Sequence, residues 1–179
     1  RMYGKNRWRA STIISLGIGQ GELGVTPLQL ANMTAIIANR GEYYHPHVVR
    51  PLPQDTFSLY KQKQHSTIKR KHFETVVDGM EQVVLAGTAR VAQIEDVSIC
   101  GKTGTAENPH GKDHSLFVSF APKSNSKIAI AVMVENGGFG STYAAPIASL
   151  MTEKYLKGSI SEKRQYLEKR ILDANLLKN

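Results

Sequence analysis

The sequence lacks the features of a disulfide-stabilised, multi-cysteine metal-binding or membrane-spanning protein. It has one cysteine, Cys100, among 179 residues, which excludes an internal disulfide and a multi-cysteine metal site. The position of Cys100 in an apolar segment favours an inert, buried thiol. The longest apolar run, residues 128–134, is far shorter than the roughly 18 residues of a membrane span, and no signal-like segment opens the chain. The chain as given is therefore expected to be soluble.

Aromatic and acidic side chains are scarce relative to basic ones. Aromatic residues form 7% of the chain, and 23 Lys and Arg against 15 Asp and Glu give a net charge of +8. The basic residues are concentrated near the N-terminus, in residues 61–71 and from residue 154 onward. Such patches can bind nucleic acid, but few aromatic residues are interleaved with them and no nucleic-acid-binding motif is present. We therefore interpret them as solvated surface and expect no nucleic-acid partner.

A glycine-rich segment, residues 19–24 (GQGELG), matches the dinucleotide-binding pattern G-x-G-x-x-G. It follows a strand-like apolar run, and Glu42 lies near the distance expected of a ribose-binding acid. In that fold the helix begins inside the glycine pattern, so that its free amides face the pyrophosphate. Here the start signals come later, with Thr26 as N-cap, Pro27 at the first helical position and Gln29 completing a capping box. The glycines are therefore predicted to form a loop before a helix, without a bound nucleotide.

The hydrophobic pattern predicts an α/β (α+β) protein with helices on both faces of an antiparallel sheet. Apolar residues recur at helical spacing from Phe73 to Val84, which indicates an amphipathic helix. Two later runs are apolar at nearly every position, which is typical of strands covered on both faces. The predicted helices span about 27–39, 72–87, 144–157 and 162–177, and the predicted strands span 97–100, 116–121 and 128–134. Residues 54–70 are polar and are predicted to form a mobile excursion.

Residues 100–106 (CGKTGTA) are the segment with the clearest chemical potential. At the exposed end of a strand, Lys102 supplies an ammonium, Thr103 a hydroxyl, and Gly104 a position where a substrate backbone can lie against the strand. These groups can dock a peptide carboxylate and stabilise an oxyanion. A Lys-Thr-Gly triplet also arises by chance in roughly a few per cent of chains of this length. The surrounding sequence must therefore show whether this triplet is a functional motif or a chance match.

Six short segments give that context. They are residues 17–31 (GIGQGELGVTPLQLA), 38–41 (ANRG), 87–89 (GTA), 101–106 (GKTGTA), 120–122 (FAP) and 134–137 (VENG). In this order they resemble the C-terminal half of the transpeptidase domain of class B penicillin-binding proteins, over about residues 8–157. The GQGE and VENG forms are most similar to penicillin-binding protein 2, the elongation-type member. The resemblance implies the penicillin-binding protein/serine β-lactamase-like transpeptidase fold.

The resemblance also implies roles for four residues. Lys102 would be the cation that assists the hydroxyl of the family's Ser-x-Asn motif and the substrate carboxylate, and Thr103 would bind that carboxylate. Gly104 would keep the strand edge clear. The backbone N–H of Thr105 would supply half of the oxyanion hole, and losing one such donor typically costs roughly 10²- to 10³-fold in rate. The implied reaction is serine acyl transfer, with no metal or organic cofactor expected.

The sequence departs from the family at its two other motifs, Ser-x-x-K and Ser-x-Asn. Ser-x-Asn does not occur at all. Ser-x-x-K occurs at residues 58–61, 66–69 and 124–127, but none of these is predicted to open a buried helix. We therefore predict that the nucleophile lies in polypeptide before Arg1. Residues 1–179 would then be the C-terminal portion of one transpeptidase domain, inactive alone, with residues 158–179 as a helical extension.

One other polar cluster follows the Lys-Thr-Gly segment. His110, Asp113 and His114 could bind a metal or supply a general base, but a hydrated hairpin loop also explains them and is the favoured interpretation. No metal is therefore expected.

By resemblance, the parent protein would be a peptidoglycan D,D-transpeptidase of cell-wall elongation, anchored in the inner membrane with this region on the periplasmic face. Its expected partners are stem peptides ending in D-Ala-D-Ala, β-lactams and elongation-complex proteins. Two alternatives stay open, a β-lactam sensor domain and a non-catalytic scaffold of the same fold.

Overall fold

The structure is a computed structural model, and it describes residues 9–21, 23–48 and 58–177. Its first half contains helices α1 (Ala10–Gly17) and α2 (Pro27–Ala38), strand β1 (Glu42–Tyr43), helix α3 (Ser58–Lys61), strand β2 (Gln64–His65) and helix α4 (Arg70–Leu85). A 3₁₀ helix (Arg90–Ala92) leads to strands β3 (Cys100–Ala106), β4 (His114–Ala121) and β5 (Ile128–Val134). Helix α5 (Ala144–Lys157), a 3₁₀ helix (Glu162–Arg164) and helix α6 (Gln165–Leu172) follow. Among the described residues, no helix is long and apolar enough to cross a membrane.

The three long strands form an antiparallel sheet in the order β3-β4-β5. Thr103 lies opposite Phe117, and Phe117 lies opposite Val132 on the other side. β4 is therefore the central strand. Within the described part of the chain, β3 and β5 each keep one edge without a strand neighbour. The predicted α/β class and antiparallel sheet are confirmed.

Helices cover both faces of this sheet, as predicted. Helices α2 and α4 pack on one face, where Cys100 and Phe120 are buried against Val77 and Met80. Helix α5 packs on the other face, where Phe117 meets Ala145 in a second buried cluster. Alternate residues of a strand point to opposite faces, so this assignment fixes the direction of every β3 side chain. Lys102 shares the face of Cys100, and Thr103 shares the face of Phe117.

The start of α2 confirms that residues 19–24 form a loop before the helix. The hydroxyl of Thr26 accepts from the N–H of Gln29 at 3.3 Å, and the Gln29 side chain accepts from the N–H of Thr26 at 2.8 Å. This reciprocal pair is the capping box, and Pro27 occupies the first turn. The predicted bounds of β5 and α5 are also confirmed.

The strand-like interpretation of the apolar run before the glycines was wrong, because that run lies in α1 and the turn after it. A short run rich in β-branched residues cannot be assigned to strand or helix by periodicity alone. Hydrogen bonds from the N–H groups of Gly19 to Leu16 and of Gln20 to Ser15 close the end of the helix. Ile14 on α1 stays 68% exposed.

The predicted strand at residues 97–100 was placed too early. Asp96 adopts a left-handed φ of 62°, and Ile94 pairs with Val97 in an isolated bridge, so the chain turns here. β3 begins only at Cys100. The Lys-Thr-Gly triplet therefore lies inside the strand rather than at its end.

Residues 58–70 are more ordered than the predicted polar excursion. They contain α3 and β2, and β2 pairs with β1, with His65 opposite Glu42. The carboxylate of Glu42 accepts from the ammonium of Lys63 at 2.9 Å. This pairing joins segments about 20 residues apart, which a local pattern cannot reveal. Helix α4 begins at Arg70, and residues 54–57 lie outside the described part of the chain.

The predicted helix at residues 162–177 is shorter, because it begins as a 3₁₀ helix and ends at Leu172. Its first turn is held by a buried charge pair. Arg164 donates to the carboxylate of Glu153 on α5 at 2.8 Å and to the hydroxyl of Ser149 at 2.5 Å. This contact directs the start of the segment into α5.

Candidate functional site

The open edge of β3 presents the backbone groups of two threonines. The C=O of Thr103 accepts from the ammonium of Lys102 at 2.8 Å, and the C=O of Thr105 accepts from the side-chain amide of Gln20 at 3.3 Å. Neither donor belongs to β4, so both carbonyls lie on the side of β3 that faces away from β4. In an antiparallel strand the N–H and C=O of one residue point to the same side. The N–H groups of Thr103 and Thr105 therefore also face the open edge.

The side chains of the Lys-Thr-Gly segment lie around that edge. Lys102 is exposed, and its ammonium reaches the edge through its bond to the Thr103 carbonyl. The hydroxyl of Thr103 lies 2.8 Å from the hydroxyl of Thr88, which follows α4. A cavity of about 400 Å³ is lined by these residues and by residues 139–141. A cation, two hydroxyls and outward N–H groups therefore meet at one edge.

Gly140 was not recognised from the sequence as a site residue. A Cβ placed there would lie 2.2 Å from the carbonyl oxygen of Leu116 and 2.7 Å from that of Gly104. The loop between β5 and α5 therefore packs directly on the backbone of the β3-β4 pair. The only sequence signal was the glycine-rich turn at residues 137–140. By contrast, a Cβ at Gly104 would meet one side-chain atom, that of Leu116, at 3.2 Å.

Gln20 is the second residue that the sequence did not single out. It lies between Gly19 and Gly21, whose φ values of 76° and 78° are left-handed conformations that favour glycine. The half-buried Gln20 side chain reaches β3 across 85 positions of sequence. A second cavity of about 900 Å³ lies between this loop, the start of α2 and the end of β3. The GQG pattern was the available signal, but it was used only for the family resemblance and for a loop before the helix, with no role given to the Gln20 side chain.

The polar cluster after β3 forms a braced loop. The N–H of Asn136 donates to Nδ1 of His114 at 3.1 Å, and the N–H of Asn108 donates to the carboxylate of Asp113 at 3.3 Å. In residues 9–21, 23–48 and 58–177, no group of three or more His, Cys, Asp or Glu side chains is arranged to hold a metal ion. The contacts of His114 and Asp113 support the hairpin-loop interpretation.

The three Ser-x-x-K matches lie in other contexts. The first forms the one-turn helix α3, residues 66–69 precede α4, and residues 124–127 connect β4 to β5. Residues 66–69 adjoin α4, which packs on β3, but they end at its N-cap, Lys69, so the serine lies outside the helix rather than in its first turn. The expectation that the nucleophile lies elsewhere remains a prediction.

Cys100 lies next to the Lys-Thr-Gly segment but is fully buried. Burial raises the pKa of its thiol to about 12. The thiolate is the reactive form of cysteine, so this residue packs the sheet and is chemically inert at neutral pH.

A family model described as the penicillin binding protein transpeptidase domain matches residues 2–153. The chain belongs to this family. Among curated relatives, it is 33% identical over 184 residues to the peptidoglycan D,D-transpeptidase MrdA of Haemophilus influenzae. That match covers 90% of this chain and 28% of the relative. The resemblance inferred from the six segments is confirmed, and the chain spans under a third of the length of that relative.

Two solved structures place the fold in the same family. One is the imipenem acyl-enzyme complex of penicillin-binding protein A from Mycobacterium tuberculosis, with a TM-score of 0.68, 30% identity, and coverage of 79% of this chain and 33% of that chain. The other is the complex between penicillin-binding protein 2 and MreC from Helicobacter pylori. It has a TM-score of 0.70, 25% identity, and coverage of 84% of this chain and 28% of that chain. The expected transpeptidase fold is therefore confirmed.

Proposed function

We propose that this chain forms the substrate-docking part of a peptidoglycan D,D-transpeptidase. The observation that carries the proposal is the open edge of β3, where the N–H groups of Thr103 and Thr105 face outward beside the Lys102 ammonium. An extended peptide can add to such an edge through main-chain hydrogen bonds. Membership of the transpeptidase family and similarity to a curated D,D-transpeptidase support this substrate class.

In this proposal, each residue has a defined role. Lys102 and the hydroxyl of Thr103 bind the terminal carboxylate of a stem peptide ending in D-Ala-D-Ala. The N–H of Thr105 donates to the oxygen of the attacked carbonyl as negative charge develops on it. The hydrogen bond between Thr88 and Thr103 orients the Thr103 hydroxyl toward the cavity at the edge. Gly104 has no side chain that could collide with the docked peptide.

The proposed covalent step uses a serine from polypeptide outside this chain. The serine oxygen bonds to the carbonyl carbon of the penultimate D-Ala and loses its proton to a neighbouring base. The C–N bond to the terminal D-Ala breaks, and the departing nitrogen takes up a proton. An amine of a second stem peptide then displaces the ester and restores the serine hydroxyl. With a β-lactam, the ring C–N bond breaks instead, and the acyl group stays on the serine.

The parent protein's location and partners are part of the same proposal. We place it in the inner membrane with this region on the periplasmic side, where peptidoglycan is crosslinked. Interaction with elongation-complex proteins is supported by the similar penicillin-binding protein 2 from Helicobacter pylori, whose structure is a complex with MreC. That similarity covers 28% of the other chain, so the partner surface is not assigned to particular residues.

Intact mass spectrometry after incubation with penicillin tests the proposal. We expect a penicillin adduct on the full-length protein and none on residues 1–179 alone. An adduct on the short chain would locate the nucleophile in this chain and overturn its assignment to upstream polypeptide. No adduct on either form would favour the non-catalytic scaffold.

Lys102→Ala in the full-length protein tests the assigned site. It should abolish crosslinking of stem peptides while leaving the fold intact, because the Lys102 side chain is exposed. Retained crosslinking would refute the assignment. Persistent penicillin acylation without any crosslinking in the wild-type protein would instead indicate a sensor domain.

A further inference from the structure

The side chain of Gln20 makes a contact that the proposed roles do not use. Its amide nitrogen donates to the C=O of Thr105, the residue whose N–H is assigned to the oxyanion. A β3 edge without a neighbouring strand leaves its outward peptide groups without ladder partners. The Gln20 side-chain amide provides a hydrogen-bond donor for one of these groups, the Thr105 C=O. The Thr105 N–H stays available to a ligand.

The loop around Gln20 is built to hold that side chain in place. The left-handed Gly19 and Gly21 reverse the chain directly after α1. The N–H of Gln20 donates to the C=O of Ser15 at 2.9 Å, which fixes the Gln20 backbone. A Cβ at Gly21 would lie 3.1 Å from the Cβ of Ser15, so the turn is closely packed. The backbone is thus anchored on α1 while the side chain extends to β3.

The consequence for Thr105 follows from the geometry of its two peptide groups. Its C=O and N–H belong to successive peptide planes that meet at the Thr105 Cα. A hydrogen bond that fixes the C=O limits rotation at this Cα, and therefore limits the direction of the N–H. Oxyanion stabilisation depends on donors that are aligned before the charge develops, and small misplacements of reacting groups can cost roughly 10²-fold in rate.

We propose that Gln20 is a positioning residue that aligns the Thr105 N–H for the acyl-transfer transition state. This inference rests on the proposed function. Gln20 touches neither the substrate nor the nucleophile, and it acts only through the Thr105 peptide. Its loss should therefore lower the rate of acylation without weakening the initial binding of the β-lactam.

Two substitutions in the full-length protein isolate this contact. Gln20→Glu keeps the shape of the side chain but replaces the N–H donor with an oxygen, and Gln20→Ala removes the side chain. Gln93→Glu is the matched control, because the Gln93 amide also donates to backbone carbonyls, those of Val84 and Leu85 at the end of α4. Stopped-flow labelling would separate the pre-covalent binding constant from the first-order acylation rate, using a penicillin with an acylamino N–H and a carbapenem without one.

We expect both Gln20 variants to acylate about tenfold more slowly with either β-lactam, because the oxyanion donor is misaligned rather than removed. The pre-covalent binding constant and the melting temperature should stay at the wild-type values. Gln93→Glu should leave the acylation rate unchanged, even if it lowers the melting temperature.

Three results would overturn the inference while leaving the proposed function intact. The first is an unchanged acylation rate in both Gln20 variants. The second is faster acylation by the penicillin alone, which would mean that Gln20 competes with the ligand N–H for the Thr105 carbonyl. The third is a rate loss that tracks a loss of melting temperature. If the wild-type protein is not acylated at all, the proposed function fails and the inference fails with it.

Discussion

Gly140→Ala tests whether the site depends on direct contact between two backbones. The added Cβ would lie 2.2 Å from the Leu116 oxygen, 2.7 Å from the Gly104 oxygen and 3.1 Å from the Gly104 nitrogen. A Cβ is essentially never found closer than 3.0 Å to a heavy atom outside its own residue and the two chain neighbours, and backbone atoms of paired strands cannot move aside as a side chain can. Overpacking typically costs about 1–3 kcal/mol. We expect a loss near the upper end, about 3 kcal/mol, because either the loop or both strands must shift.

Gly79→Ala is the matched control for that change. Gly79 lies within α4, and a Cβ there would meet nothing within 4 Å. Replacing glycine by alanine within a helix typically gains about 0.5–1 kcal/mol. The same chemical substitution is therefore expected to have opposite signs at the two positions.

Urea unfolding of the full-length protein would give the stability changes, and penicillin labelling would report on the site. Gly140→Ala should also slow labelling, because Gly104 lies between Thr103 and Thr105 on the strand that it displaces. Wild-type stability together with wild-type labelling in Gly140→Ala would refute the close-packing argument. A loss in Gly79→Ala as large as that in Gly140→Ala would show that the clash at Gly140 is not the cause.

Three further predictions concern single contacts. Thr88→Val should slow penicillin acylation about two- to tenfold, as expected for the loss of one hydrogen bond of about 0.5–1.5 kcal/mol; an unchanged rate would contradict the role given to the bond with Thr103. Glu153→Gln should destabilise the fold by about 3–5 kcal/mol in urea unfolding, because Arg164 is left buried without its counter-charge; a loss below 1 kcal/mol would contradict this. Cys100 should resist iodoacetamide at pH 8 until the protein is unfolded. Because its folded pKa of about 12 exceeds the ordinary 9.0, its contribution to stability is constant below about pH 9 and falls as the pH rises above it, and rapid alkylation of the native protein would contradict the burial.

Features with a local physical cause could be predicted from the sequence. The capping box at Thr26 and Gln29 uses residues three positions apart, so it was visible without the fold and correctly placed the glycines in a loop before α2. The bounds of β5 and α5 were also correct, since an unbroken apolar run ends in a glycine turn and a helix ends at the left-handed Gly158. The six short segments occur along the chain in the same order as in the family, and this was enough to identify the family.

Features that depend on distant segments could not be predicted. The short β1-β2 pair, the buried contact of Arg164 with Glu153, and the backbone contact at Gly140 each join parts of the chain that have no shared pattern. The strand containing Lys102 was also misplaced, because the chain turns at the left-handed Asp96, where no glycine marks the turn. The first three features depend on contacts that form only in the folded chain.

The position of Lys-Thr-Gly within β3, rather than at its end, matters for the proposed chemistry. A triplet at a strand end would offer side chains on a loop, whose backbone could adopt many directions. Within a paired strand, the backbone N–H and C=O groups of alternate residues, Lys102 and Gly104, face β4. The N–H and C=O groups of Thr103 and Thr105 must therefore face the open edge. Gln20, Thr88 and Gly140 then restrain that edge from three different segments. A nucleophile supplied from outside the chain would therefore meet donors that are already aligned.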